Sequence, residues 1–345
     1  NMNFTITKVQ LFLMLFFRST GIIFIGYPET IILAGGRDAW IIFFVGSLIV
    51  FFQLWIYEKL YKYFDLGKFT AWIYIFIWII VLIGSIIYMQ YNLNIWVQQN
   101  TPHTISLVLM LLISFYISVS RPSTIINLPV FIIPFIFIFI IYLLFSIPEL
   151  SLNHLFPIGT STGGQWMKGT MVAMAAFTGL EGYLVLRKYV LPEDKISFKD
   201  ILTFQLSITL FIGFLVIVTK MYFATDALPY VTEPILYILK SIEVTFVKRL
   251  DIFFFFLWLG WSIISFGLIV FNIRIVYFKQ KRKHKIWPMA VLHLIVFIGS
   301  VGIINIQVME FIRNHFHYFY IPTTFILPAI IMLINKRRKS KCAEL

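Results

Sequence analysis

Apolar residues in this chain neither alternate nor keep to one helical face. They run almost unbroken for about 20 positions at a time, the length a helix needs to cross the hydrocarbon core of a bilayer. Ten such runs can be marked along the 345 residues: 8–34, 38–61, 69–97, 104–119, 124–147, 165–190, 200–223, 250–277, 286–306 and 314–334. The polar stretches between them are short, and none is long enough to hold a second folded domain. The pattern predicts one all-helical integral membrane domain over 1–345. Pro129 and Pro134 near the start of the fifth run bend a membrane helix without ending it.

Two runs carry residues that a simple anchor would not. In 165–190 the middle reads Thr178-Gly179-Leu180-Glu181-Gly182. Each glycine weakens a helix by roughly 1 kcal/mol relative to alanine, and an acid at the helix centre costs about 2.5–3.5 kcal/mol on insertion. Either the helix is broken and lines a small polar cavity, or the glycines form a packing face around a hydrogen-bonded structural acid. In 8–34, Arg18-Ser19-Thr20-Gly21 is followed by Gly26-Tyr27-Pro28-Glu29. Pro28 fits the first turn of a new helix. The stretch reads as a half-helix to Ser19, an unwound segment and a short half-helix from Pro28, or as one kinked helix.

The segment 232–248 differs from the spans. Thr232-Glu233-Pro234 is a helix start signal. Ile235, Leu236, Ile238, Leu239, Ile242 and Phe246 recur at helical spacing against Lys240, Glu243 and Lys248. An amphipathic helix is expected there, lying on the lipid interface or on a partner.

Composition agrees with the pattern: 60% of residues are hydrophobic and 12% charged. The net charge of +13 reflects topology rather than a nucleic-acid partner. With the N-terminus inside and ten crossings, cytoplasmic segments receive 19 basic residues and external ones six, the bias that orients membrane helices. Both termini then lie on the cytoplasmic side, with a basic tail at 335–345. The two interrupted spans are five apart and enter from opposite sides, which points to an inverted-repeat transporter fold, with repeats at 8–147 and 165–334.

Interrupted helices leave amides at one new start and carbonyls at the other new end, which attract an anion and a cation respectively. Two facing breaks suit a zwitterionic amino acid, its carboxylate near the amides after Gly21 and its ammonium near the carbonyls of 176–178. Thr20, Gly21, Gly26, Thr178, Gly179, Glu181 and Gly182 are therefore candidate ligand-binding positions, with Tyr88, Asn92, Ser262 and Ser265 as candidate wall residues. Glu181 either pairs with the ammonium or holds the break open; Arg18 and Glu29 pair with each other or with Glu181. No His/Cys/Asp cluster, P-loop or nucleophile elbow is present in the sequence, so neither an enzyme nor a metal or cofactor is expected. His293 stands alone, and His315 and His317 are two apart, a poor ligand spacing on a helix. The single cysteine, Cys342, cannot form an intrachain disulfide. No cleavable signal is expected in the first run.

These residues resemble a known family. Gly21 to Pro28 followed by Ala34-Gly35-Gly36-Arg37-Asp38-Ala39-Trp40, Arg121-Pro122, Phe156-Pro157, Phe177-Thr178-Gly179-Leu180-Glu181-Gly182 with Tyr189, and Leu250-Asp251 leading to Leu257-Trp258 are similar to the GerAB-type spore germination proteins. These are B subunits of spore germinant receptors in the amino acid–polyamine–organocation transporter superfamily. The resemblance covers nearly the whole chain and implies a LeuT-like 5+5 repeat with broken helices 1 and 6. It implies a multi-pass protein of the spore inner membrane that binds a nutrient, commonly an amino acid, and acts with A and C subunits and membrane lipid to start germination. A cation-coupled amino-acid permease is the alternative, and an assembly subunit with a vestigial pocket a third. The superfamily's first break usually carries Gly-x-Gly. Here it reads Gly21-Ile22-Ile23, so Ile23 fills space at the candidate site and speaks against an alanine-like pose.

Overall fold

The computed structural model describes residues 4–98, 100–242, 250–281, 286–301, 303 and 306–343, the side chains of 250, 281, 306, 309 and 339–343 excepted. Helices dominate: α1 (Lys8–Thr20), α2 (Tyr27–Gly35), α3 (Ala39–Leu60), α4 (Lys68–Trp96), α5 (His103–Val119), α6 (Pro122–Leu144) and α7 (Gly163–Ala175). They continue as α8 (Glu181–Leu186), α9 (Phe198–Tyr222), α10 (Pro234–Ser241), α11 (Leu250–Lys281), α12 (Trp287–Ser300), α13 (Ile306–Ile321) and α14 (Leu327–Ala343). Six segments among the described residues are long and apolar enough to cross a membrane: 27–63, Lys68–Trp96, Pro122–Leu144, Phe198–Tyr222, 251–280 and 310–338. His103–Val119 and Trp287–Ser300 are shorter apolar helices.

Local chemistry sets the boundaries. Thr7 and Gln10 form a capping box at the start of α1, Thr162 and Gln165 at α7, and Ser197 and Asp200 at α9. In each, the cap hydroxyl and the residue three on satisfy otherwise orphaned amides. Pro122 opens α6, and Pro129 and Pro134 lie inside it without ending it. Outward faces carry large exposed apolar side chains such as Phe76, Phe131, Leu112 and Leu210, as a hydrocarbon solvent requires.

Interruptions organise the interior. α1 and α2 pack against α11, α7, α9 and α3, so the broken pair sits at the centre. At the end where α1 begins, the extended backbone of Ile6 pairs with Tyr189 and Leu191 at 2.9 and 3.0 Å. Lys8 meets Asp200 at 3.1 Å there, and Arg187 grips Glu58 through two bonds of 2.8 and 2.9 Å. Lys279 donates to Asp65 at 2.6 Å. That hydrogen bond, with the nearby Lys279 and Lys188 charges, holds the Asp65 carboxyl below its ordinary range. At the opposite end Asp38 accepts from the backbone amides of Gly159 (2.7 Å) and Ser161 (2.9 Å).

Three sequence expectations change. The ninth run ends as helix at Ser300, whose hydroxyl bonds back to Val296 at 2.7 Å. The stretch before the tenth run is helical from Ile306 rather than a loop. It carries Arg313 inward to Glu29 (3.0 and 3.2 Å), and that ion pair rewards the extra helical turns. The segment expected as a surface amphipathic helix is helical over Pro234–Ser241 and extended at Ile242; Glu243, Phe246 and Lys248 lie outside the described residues. Its apolar face is already used: Ile235, Leu236, Ile238 and Leu239 are at most 1% exposed, against α11, α9 and α6. Over Pro234–Ser241 the protein's own helices cover it.

Candidate functional site

Both helices interrupted in sequence are interrupted in space. α1 stops at Thr20 and α2 begins at Tyr27. Unwinding leaves carbonyls without intrahelical partners, and one face of α11 supplies them. Ser265 Oγ donates to the Arg18 carbonyl at 3.0 Å, Ser262 Oγ to Gly21 at 2.8 Å and Trp258 Nε1 to Ile22 at 3.2 Å. A side chain at Gly21 would put its Cβ 2.5 Å from the Ser265 Cβ, so the glycine permits this close approach. Thr20 Oγ1 bonds back to Phe16 at 2.7 Å.

At the second interruption α7 stops at Ala175 and α8 begins at Glu181. Gly179 has φ +92°, a backbone state that glycine adopts without penalty. Tyr320 Oη caps the Phe177 carbonyl at 2.8 Å. Arg18 spans the two breaks, its Nη2 2.5 Å from Glu181 Oε1. Trp78 Nε1 donates to the same oxygen at 3.0 Å, and Thr324 Oγ1 to Oε2 at 3.3 Å. The guanidinium also lies 5.3 Å from the Trp78 ring centroid. The glycines around Glu181 now have a cause. A Cβ at Gly179 would come within 2.9 Å of the Arg18 side chain, and one at Gly182 would overlap its guanidinium. The helix is broken and its acid is also hydrogen-bonded, so features of both sequence readings hold together.

Thr324 belongs to a π-helical turn, Pro322–Ile326, between α13 and α14. The wider turn leaves the Thr324 carbonyl free to accept from Gln53 Nε2 at 3.1 Å and from Tyr57 Oη. Such turns recur at functional positions within helices, and this one ties α3 to the Glu181 cluster.

A cavity of about 550 Å³ lies against both breaks. Its walls are mostly aliphatic or aromatic, including Ile22, Ile23, Ile83, Ile87, Ile269 and Phe316. Arg18, Ser19, Thr178 and Glu181 supply polarity beside the breaks, and Tyr88 and Arg313 supply it elsewhere. Arg18 Nε and Nη1, Ser19 Oγ and Tyr27 Oη are buried without a protein partner among the described residues. Buried polar groups are ordinarily hydrogen-bonded, and these unpartnered atoms belong to residues that line the cavity.

Among the sequence candidates, Ile23, Tyr88, Thr178, Gly179 and Glu181 line the cavity. Thr20, Gly21, Gly26, Gly182, Ser262 and Ser265 lie outside that lining and shape or cap the breaks. Arg18 meets Glu181, while Glu29 meets Arg313. Sequence reasoning did not single out Trp78, Arg313, Tyr320 or Thr324. Each sits in a run whose neighbours give no periodic signal. Only the Pro322-Thr323-Thr324 cluster inside an apolar span offered a hint. Among the described residues no group of three or more His, Cys, Asp or Glu could hold a metal.

The chain matches the family model described as spore germination protein over residues 5–310. It belongs to that family. No curated protein matches it. Spore germination proteins of this permease-like family are transporter- or receptor-type proteins rather than enzymes, and with its spanning helices this one is a multi-pass membrane protein. The residue motifs around both breaks fall within the matched region.

Proposed function

We propose that this spore germination protein is the nutrient-sensing B subunit of a germinant receptor, with the nutrient held between the two interrupted helices. The observation that carries the reading is the cavity abutting both breaks, with unpartnered polar atoms of Arg18, Ser19 and Tyr27 among mostly apolar walls. Small-molecule sites have this composition, largely apolar with a few placed polar groups. An amino acid with an apolar side chain fits that chemistry better than a sugar. Ile23 in the wall favours a ligand that makes apolar contact there.

The fold reading that goes with it is ten crossings in two inverted repeats, α1–α6 and α7–α14, of LeuT-like type. Its support is a local likeness between the halves. α1 and α7 both open with a Thr-x-x-Gln capping box, run 13 residues and stop at a break before a shorter helix. The expected setting is the spore inner membrane, with both termini on the cytoplasmic side and A and C subunits as readers of the bundle's state. The nutrient must bind one arrangement more tightly than another, or it shifts nothing.

Of the carboxylates beside the breaks, Glu181 and Glu29 are each engaged by an arginine, and Glu233, against Gly26, accepts from Tyr88. That favours a sensor over a cation-coupled permease, which needs a group free to load and unload an ion. The test is a panel of amino acids and sugars screened for thermal stabilisation of the purified protein, then uptake of any hit into liposomes. Stabilisation without uptake is expected. Concentrative, ion-dependent uptake would make it a permease, and no stabilisation by any compound would favour an assembly role.

A further inference from the structure

The cavity wall is closed on one side and open on the other. Around the breaks its residues are buried: Arg18, Ser19, Ile22, Glu181 and Ile269 are at most 7% exposed. Across from them, every described α13 residue in the wall, from Phe311 to Phe319, is exposed or half-buried. So are positions 80, 81 and 83–85 of α4. Phe311 is 63% exposed and Ile80 40%. The mouth of the cavity therefore lies between α4 and α13.

The depth of that mouth follows from α4. Ile80 stands twelve residues, about 18 Å of helix, beyond Lys68 and sixteen, about 24 Å, short of Trp96. That is the middle of a spanning helix. Residues four apart share one row on a helix surface. Here the row is Trp72, Phe76, Ile80, Gly84 and Tyr88. Trp72 and Phe76 are 50% and 64% exposed and face out of the bundle. Ile80, Gly84 and Tyr88 line the cavity, and Tyr88 is buried. One row thus passes from the outward surface into the cavity at mid-membrane. The surrounding medium at that depth is lipid acyl chain rather than water.

Gly84 keeps the passage wide. A glycine inside a helix costs about 1 kcal/mol relative to alanine, and no close approach requires this one. A Cβ there would meet Ile312 at 3.9 Å, an ordinary contact, whereas one at Gly21 would come within 2.5 Å of Ser265. Polar groups at the mouth are engaged within the protein. Ser85 Oγ bonds back to the Val81 carbonyl at 2.7 Å, His315 Nδ1 to the Phe311 carbonyl at 2.9 Å, and Arg313 holds Glu29. Beyond them the wall is aliphatic at Ile22, Ile87 and Ile269.

We infer that an acyl chain of a membrane phospholipid enters the cavity between α4 and α13 and lies against Ile22, Ile87 and Ile269. The polar end at the breaks is left to a polar ligand. The inference rests on the membrane-spanning helices and not on the sensing function.

The test uses the full chain in lipid nanodiscs containing a phospholipid with a diazirine midway along one acyl chain. Irradiation and peptide mapping report which residues touch that chain. Adducts are expected on the outward residues Phe76 and Phe131, and also on Ile22, Ile87 and Ile269. Gly84→Phe fills the passage and should abolish the adducts at those three isoleucines while Phe131 stays labelled. If Gly84→Phe does not fold, Gly84→Leu takes its place, and if neither folds the map of the unaltered chain decides alone. Adducts confined to outward residues in the unaltered chain, the result for a mouth that opens to water, would overturn the inference. So would adducts at the three isoleucines that persist when the passage is filled. No nutrient is present, so failure of the nutrient screen leaves this result standing.

Discussion

Arg18 and Glu181, 163 positions apart in sequence, meet at 2.5 Å across two helix interruptions. Both side chains are under 10% exposed. Each is the other's principal counter-charge, and the glycines beside Glu181 exist to admit the guanidinium. The breaks are therefore coupled through one ion pair rather than being two independent kinks.

Removing one partner leaves a buried charge uncompensated, which costs about 3–5 kcal/mol. Glu181→Ala and Arg18→Met should each lower stability by that order. The double variant Arg18→Met/Glu181→Leu should lose less than either single, because it removes both charges. Thermal unfolding in detergent checks this. A double variant as unstable as the sum of the singles would mean that the pair is not the reason for their cost.

Gly182→Ala should be more damaging than alanine at an ordinary glycine in a membrane helix, because its methyl overlaps Arg18. Gly179→Ala adds backbone strain at φ +92°, of order 1–3 kcal/mol. Both should lower the melting temperature. In the Arg18→Ala background Gly182→Ala should lose most of its cost, leaving the approach to Asn272 Nδ2 at 2.9 Å. An undiminished effect there would exclude the steric account.

Ser262→Ala and Ser265→Ala test whether α11 supports the first break. Each exposes a buried carbonyl that has lost its donor, costing about 1–3 kcal/mol. Neither residue lines the cavity, so nutrient affinity measured in the folded fraction should change little while the melting temperature falls. The reverse pattern, lost affinity at constant stability, would make them ligand contacts.

On α10, Leu239→Ala should destabilise the bundle by about 2–5 kcal/mol, the cost of emptying a buried leucine site. Lys240→Glu should be mild, since Lys240 lies over Trp96 at 6.0 Å on the outer side, where such contacts are worth about 0.5–1 kcal/mol. Thermal melts of the two variants separate the cases. Equal, small effects would return α10 to a surface role.

The sequence by itself determined the all-helical membrane class and the places where two helices break. Hydrocarbon admits only long apolar helices whose backbone is satisfied internally, so run length is written directly in composition, and glycines 21, 26, 179 and 182 mark where the backbone departs. Tertiary structure alone decided the partners. Arg18 could have met Glu29, yet Glu29 is 284 positions from the Arg313 that holds it. Glu233 reads as a helix start and is a buried anchor. The apolar stripe of α10 reads as a surface to be covered and is covered from within. A periodic pattern specifies which face must leave water, not what will cover it. A lone charge in an apolar run specifies that a partner must exist, not which one. Those choices depend on which segments the packed bundle brings within a few ångströms, and no local signal in the chain encodes that distance.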